Sequence, residues 1–132
     1  MTQNPAWAAV TARYDARAKK KAKPPSPEKL VQKAIQQAFK LKHQIVLIHI
    51  DAGAAGMRAG GAGGYSGIPA GFPDLLGVVP GSGRALFIEV KAAGCKPTEL
   101  QTRMLALLKA KGAVAFWADS VDSALSQFQE AA

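Results

Sequence analysis

The sequence predicts an α/β domain in which a central mixed β-sheet is flanked by helices. Three observations carry this prediction. Apolar residues recur at helical spacing in three stretches, short β-branched or aromatic runs lie between them, and the elements follow the order helix, strand, hairpin, helix, strand, helix. The 132 residues suit one compact domain with a sizeable core, and no internal repeat divides them.

Taken in order, Ser26 is a plausible N-cap and Pro27 fits the first helical position. Leu30, Val31, Ala34, Ile35, Ala38 and Phe39 then predict a helix over 27–41. Residues 44–50, Gln-Ile-Val-Leu-Ile-His-Ile, read as a buried strand. Eight glycines between Asp51 and Pro73 exclude a regular element and predict a long mobile loop. Loops of that length in small domains are usually functional or disordered. The stretch lacks the Lys-Ser/Thr ending of a phosphate-binding P-loop. Strands at about 74–79 and 85–91, joined through Pro80-Gly81-Ser82-Gly83, form a hairpin. Pro97 or Thr98 opens a helix with Leu100, Met104, Leu107 and Leu108 expected on one face, and Gly112 ends it. Ala113 to Ala118 is a strand, and Ser120 caps a last helix with Val121, Ala124, Leu125 and Phe128 inward.

Residues 1–25 form a separate basic zone, read as a flexible arm, and 26–132 the domain proper. Arg13, Arg17, Lys19, Lys20, Lys21 and Lys23 lie in the arm, and Pro24-Pro25 closes it. Its alanine-rich stretch allows transient helix without a clear apolar stripe. A solubilising tail and an arm laid on a nucleic-acid backbone both fit. The net charge of +8 favours a polyanionic partner, held non-specifically and weakened by salt. The single cysteine, Cys95, excludes an internal disulfide and a cysteine-rich zinc site. No apolar run approaches the roughly 20 residues of a membrane span, and the N-terminus lacks the order of a secretory signal. A soluble protein of a reducing compartment is therefore expected.

The chemistry concentrates between Gly71 and Lys91. In strand 85–91 side chains alternate, so Glu89 and Lys91 share one face while Ile88 and Val90 take the other. An acid and a lysine on an otherwise apolar strand are costly to bury and suit a wet cleft. If the hairpin pairs as drawn, Asp74 comes within reach of Glu89. Two carboxylates at one point repel, and a divalent cation such as Mg²⁺ relieves the repulsion while keeping several waters. The Val90 carbonyl is expected to point into the same space, and Lys91 to orient or deprotonate a water and neutralise transition-state charge. A surface ion pair between Glu89 and Lys91, worth little, is the alternative.

The run Gly67-Ile-Pro-Ala-Gly-Phe-Pro-Asp-Leu-Leu-Gly77, followed by Phe87-Ile-Glu-Val-Lys91, resembles the PD-(D/E)XK nuclease signature in its virus-type replication-repair (VRR-NUC) form. Gly94, Thr98, Gln101 and Gly112-Ala113 fit the downstream spacing, and the resemblance spans about residues 26–125. It implies a restriction-endonuclease-like sheet with flanking helices and Mg²⁺- or Mn²⁺-dependent cleavage of DNA. The small stand-alone members, often phage-encoded, resemble Holliday-junction resolvases and act as homodimers. By that resemblance Asp74 and Glu89 are metal ligands, which the Val90 carbonyl read above would join, Lys91 is the catalytic lysine, and Gln101 shapes the site. Glu28, with Gln32 four residues on, matches an acid of the first helix that completes the metal site. The cytoplasm of a bacterium or of a phage-infected host cell is the implied location.

Several assignments keep a second reading. Glu28 also complements a helix dipole, and Thr98 with Gln101 also satisfies a capping box. Asp51 stands where family members often carry asparagine, either joining the site with His49 or simply opening the loop. Arg58, Tyr65, Lys96, Lys19, Lys20 and Lys21 are candidate nucleic-acid contacts. No Ser-His or Cys-His arrangement suggests covalent catalysis. The expected activity is a structure-selective endonuclease acting on branched DNA. The alternatives are a non-catalytic DNA-binding module of the same fold, a monomeric flap or nicking nuclease, and a small-molecule phosphodiesterase, which the basic charge disfavours.

Overall fold

A computed structural model describes residues 5–18, 24–50 and 67–132. The glycine-rich stretch 51–66, with Asp51, Arg58 and Tyr65, and the lysines Lys19, Lys20 and Lys21 lie outside the described residues. The described elements are α1 (Pro5–Ala18), α2 (Pro27–His43), β1 (Ile48–His49), β2 (Leu75–Val78), β3 (Ala85–Val90), α3 (Glu99–Ala110), β4 (Val114–Ala118) and α4 (Val121–Ala131). The strands form one sheet in the order β1-β2-β3-β4. β1 and β3 both run antiparallel to β2, and β4 runs parallel to β3. The sheet is mixed because a short turn joins β2 to β3, whereas α3 supplies the longer crossover a parallel pair needs.

Alternation along β3 divides the core. Leu86, Ile88 and Val90 belong to one buried cluster with Ile35 and Phe39 of α2, Val114, Phe116 and Ala118 of β4, and Ala124 and Phe128 of α4. Phe39 meets Phe128 edge-on at 5.3 Å between ring centroids, and His43 lies 4.7 Å from the same ring. α2 and α4 thus cover one face of the sheet. Phe87 and Glu89 point to the other face, where α3 lies. Each fully buried Ile, Val or Leu contributes about 1.5–3 kcal/mol, so this one cluster fixes the register that turns Glu89 away from it.

The helix boundaries follow local chemistry. Ser26 caps α2, with Pro27 at its first position, and α2 ends at Gln44, which takes a left-handed φ of 57°. Thr98 caps α3 and Ser120 caps α4. α1 is helical from Pro5 to Ala18, where only transient helix was expected, and its described side chains are largely exposed.

Two expectations need correction. The strand expected over 44–50 contributes only Ile48 and His49 to the sheet. Ile45 donates its backbone N–H to Phe39 O (3.1 Å), so the segment is still tied to the end of α2. Ile45 and Leu47 are buried as expected, but they pack over Gly77 of β2. A Cβ on Gly77 would sit 2.9 Å from Ile45 Cγ2 and 3.0 Å from Leu47 Cδ2. Gly77→Ala should therefore destabilise the fold by about 1–3 kcal/mol, as overpacking does, measured by denaturant unfolding; an unchanged midpoint would refute the close packing. On α3, the buried side chain is Leu105, while Leu100 and Leu107 are half exposed. Gln101, Met104, Leu105 and Leu108 form the less exposed stripe at i, i+3, i+4 and i+7. Leu100 instead covers Gly71, whose hypothetical Cβ would lie 2.8 Å from Leu100 Cγ.

Candidate active site

The residues ahead of β2 are held from several sides. Gly71 has φ +81°, a conformation that favours glycine. Phe72 packs edge-on against Phe87 of β3 at 5.4 Å, and Pro73 is fully buried. Asp74 then enters the sheet at a defined height. Its carbonyl accepts from Ile50 N–H (2.6 Å) and its Oδ2 accepts from Val90 N–H (2.9 Å). Since Leu75 pairs with Ile88, Asp74 stands opposite Glu89 on the face away from the main core. In an extended strand a residue's N–H and C=O point to the same side. Lys91 N–H donates to Ala118 O of β4, so Val90 turns its own N–H, and with it its carbonyl, toward Asp74.

Glu89 is 2% exposed. Its Oε1 accepts from Gln101 Nε2 (2.9 Å) and lies 3.4 Å from Lys91 Nζ. Its Oε2 is buried without a hydrogen-bond partner. Burial, and then the neighbouring Asp74, push the Glu89 carboxyl up to about 8, against a smaller lowering by Lys91. Ionising Glu89 would leave Oε2 orphaned beside a second carboxylate, which is costly in a folded protein, and such a pair is the donor set that a hard divalent cation takes.

Gln101 serves both of its candidate roles. Its Oε1 accepts from Thr98 N–H (2.9 Å) while Thr98 Oγ1 accepts from Gln101 N–H (3.2 Å), completing a capping box. The box commits the amide oxygen to the helix start, which leaves the NH₂ end to donate to Glu89. Thr98 therefore positions Gln101. The sequence shows Thr98 only as a cap, and the second use of the glutamine depends on how α3 crosses β3.

The structure brings together Asp74, Glu89, Lys91, Gln101 and the Val90 backbone. Glu28 does not join Asp74 and Glu89 in a cluster of three acids. Glu28 is half-buried in the first turn of α2, on the helix that covers the Ile88/Val90 face. Among the described residues no three His, Cys, Asp or Glu side chains cluster to hold a metal. His49 pairs with Leu75 and so shares the face opposite Asp74. Lys96 is exposed on the loop leading into α3. The same loop is pinned by a residue that the sequence did not single out: Asp119 Oδ2 accepts from Gly94 N–H (3.2 Å), fixing the chain just beyond Lys91. Asp119 precedes the Ser120 cap and gives no other signal in the sequence. Cys95 is free and exposed.

A mixed four-stranded sheet with helices on both faces is a restriction-endonuclease-like α/β fold, a nuclease-type architecture. The VRR-NUC domain model matches residues 10–122, and the chain belongs to that family. A solved structure described as a VRR_NUC domain is similar to it with 24% identity and a TM-score of 0.59, over 80% of this chain and 97% of that one. A second, described as a VRR_NUC domain protein, has 22% identity and a TM-score of 0.56, over 83% of this chain and 90% of that one. At these identities the likeness is one of fold. No curated protein matches the chain. No helix among the described residues is long and apolar enough to cross a membrane.

Proposed function

We propose that this chain is a divalent-metal-dependent DNA endonuclease that hydrolyses phosphodiester bonds at the Asp74/Glu89/Lys91 site. The observation that carries the reading is the buried Glu89 carboxyl beside Asp74, whose Oε2 meets no hydrogen-bond donor when both groups are ionised. Asp74, Glu89 and the Val90 carbonyl would hold Mg²⁺ or Mn²⁺. When bound there, the ion supplies Lewis acidity that polarises the phosphoryl oxygen and lowers the pKa of a water.

The chain's own groups do the rest. Gln101 and Lys91 both hold Glu89 Oε1, leaving Oε2 free for the ion. Val90 N–H fixes Asp74 Oδ2, so neither carboxylate must reorganise on binding. Lys91, only 13% exposed, holds its Nζ against the site, where it neutralises charge developing on the phosphate and orients the attacking water. The narrower reading, a homodimeric nuclease that resolves branched DNA, is supported by the VRR-NUC resemblance and the +8 charge.

The test incubates purified protein with labelled four-way junction, flap and linear duplex DNA, in Mn²⁺ or in chelator. Cleavage in Mn²⁺ that chelator abolishes is expected, with branched substrates cut faster. Binding without metal-dependent cutting of any substrate would leave the non-catalytic binding module. Cleavage by a strict monomer in light scattering, on and off DNA, would leave the flap or nicking nuclease.

A further inference from the structure

α2 presents a surface that the active site does not use. Its buried side is Gln32, Ile35 and Phe39. At about 100° per residue, Lys29, Lys33, Gln36 and Lys40 fall within an arc of about 60°, roughly a quarter-turn from that side. Lys29 and Lys33 are exposed and Lys40 is half-buried. None of these ammonium groups has an ion-pair partner among the described residues, where the salt bridges are Lys91–Glu89 and Arg103–Glu99. The one acid of α2, Glu28, lies round the helix on the buried side. By contrast α4 carries Asp122 and Glu130 and no lysine or arginine. The excess positive charge is therefore not spread evenly over the domain.

The row is also tied to the site by the path of the chain. Ile45 N–H donates to Phe39 O, Gln36 Nε2 donates to Leu47 O (2.9 Å), and Ile50 N–H donates to Asp74 O. From 45 to 50 the backbone thus doubles back along the flank marked by Gln36 and arrives at Asp74. Extending the Phe39–Ile45 and Gln36–Leu47 links in the same direction puts the Lys29/Lys33 end of the row toward Asp74, and the row runs about 16 Å to Lys40 at 1.5 Å per residue. At 3.4 Å per nucleotide that length covers roughly five phosphates of one strand.

We propose that Lys29, Lys33 and Lys40 form a phosphate track that holds the duplex DNA arm flanking the cleavage position. The assignment rests on the nuclease reading above. Lysines are flexible point charges suited to contacting a backbone without reading its sequence. The track therefore adds affinity and placement, and no base preference.

The experiment compares two triple variants of equal net charge, using the full chain in Ca²⁺ with a 20-base-pair duplex. One is Lys29→Ala/Lys33→Ala/Lys40→Ala; the other is Lys42→Ala/Lys109→Ala/Lys111→Ala, at exposed lysines outside the row. Each phosphate that no longer meets a lysine should reduce the slope of log K against log[salt] by about 0.9. The row variant's slope should therefore fall by up to about 2.7 and that of the second variant by little. Replacing the three row lysines by arginine should retain the slope. Equal slopes for the two alanine variants would overturn the track, as would a row variant indistinguishable from the parent. Both outcomes are distinct from failure of the nuclease reading, in which the parent protein itself would not cut DNA in Mn²⁺.

Discussion

Lys91→Ala should lower the rate of DNA cleavage by about 10²–10³-fold, the loss typical of removing one group that stabilises transition-state charge. Affinity for DNA should change little. One cation among a net +8 releases at most about one counterion, and Lys91 is largely enclosed rather than displayed. The substitution has a second consequence. Lys91 lowers the Glu89 carboxyl, which burial and Asp74 already push up to about 8. Without it Glu89 holds its proton to still higher pH, so residual cleavage should recover partly on the alkaline side. Lys91→Arg separates the two roles. It keeps the charge beside Glu89, but its guanidinium does not give up a proton. An arginine variant that cuts as slowly as Lys91→Ala would mark Lys91 as the group that handles the proton of the water; recovery of rate would leave it a pure charge. Single-turnover cleavage and gel-shift binding in Ca²⁺ read these outcomes, and unchanged cutting by Lys91→Ala would refute its part in the chemistry.

The sequence revealed the site more completely than its surroundings, for physical reasons. Strand alternation is rigid, so Glu89, Lys91 and their separation from Ile88 and Val90 were legible from spacing alone. Asp74 became legible once the Pro80–Gly83 turn fixed the hairpin register, and the pairing of Leu75 with Ile88 places it opposite Glu89. Helix faces are less determined, because a helix can rotate about its axis to satisfy its packing. α3 turned Leu105 inward, leaving Leu107 half exposed. The same rotation aims Gln101 at Glu89. β1 was overestimated because a run of β-branched residues signals burial, and burial does not require strand pairing: Ile45 and Leu47 are buried against Gly77 outside the sheet. The role of Glu28 depended on where one end of α2 lies relative to β3, a tertiary distance that no local pattern encodes.

Glu89→Gln should abolish the protein's alkaline loss of stability in chelator and most of its stabilisation by Mn²⁺. In chelator, Glu89 is protonated in the folded chain up to about 8, while in the unfolded chain it ionises near 4.5. Between these values the folded state binds more protons, so stability falls as pH rises. The contribution of Glu89 is complete below about 4.5 and lost above about 8, with a slope of at most about 1.4 kcal/mol per pH unit. Glutamine cannot ionise, so the variant should lack this slope and be the more stable protein in chelator at pH 8. Saturating Mn²⁺ should invert the order. Binding to the native state at 100 times Kd adds about 2.7 kcal/mol, which the parent gains and the variant largely forgoes. Because the ion needs the carboxylate, its binding to the parent should release a proton below pH 8, and apparent affinity should weaken by up to about tenfold per pH unit toward acid. Thermal unfolding from pH 5 to 9, with Mn²⁺ or chelator, measures all of this. Equal Mn²⁺ stabilisation of both proteins would place the ion elsewhere. A parent without the alkaline loss in chelator would mean that Glu89 is charged in the fold, and that its buried Oε2 has found a partner other than a metal.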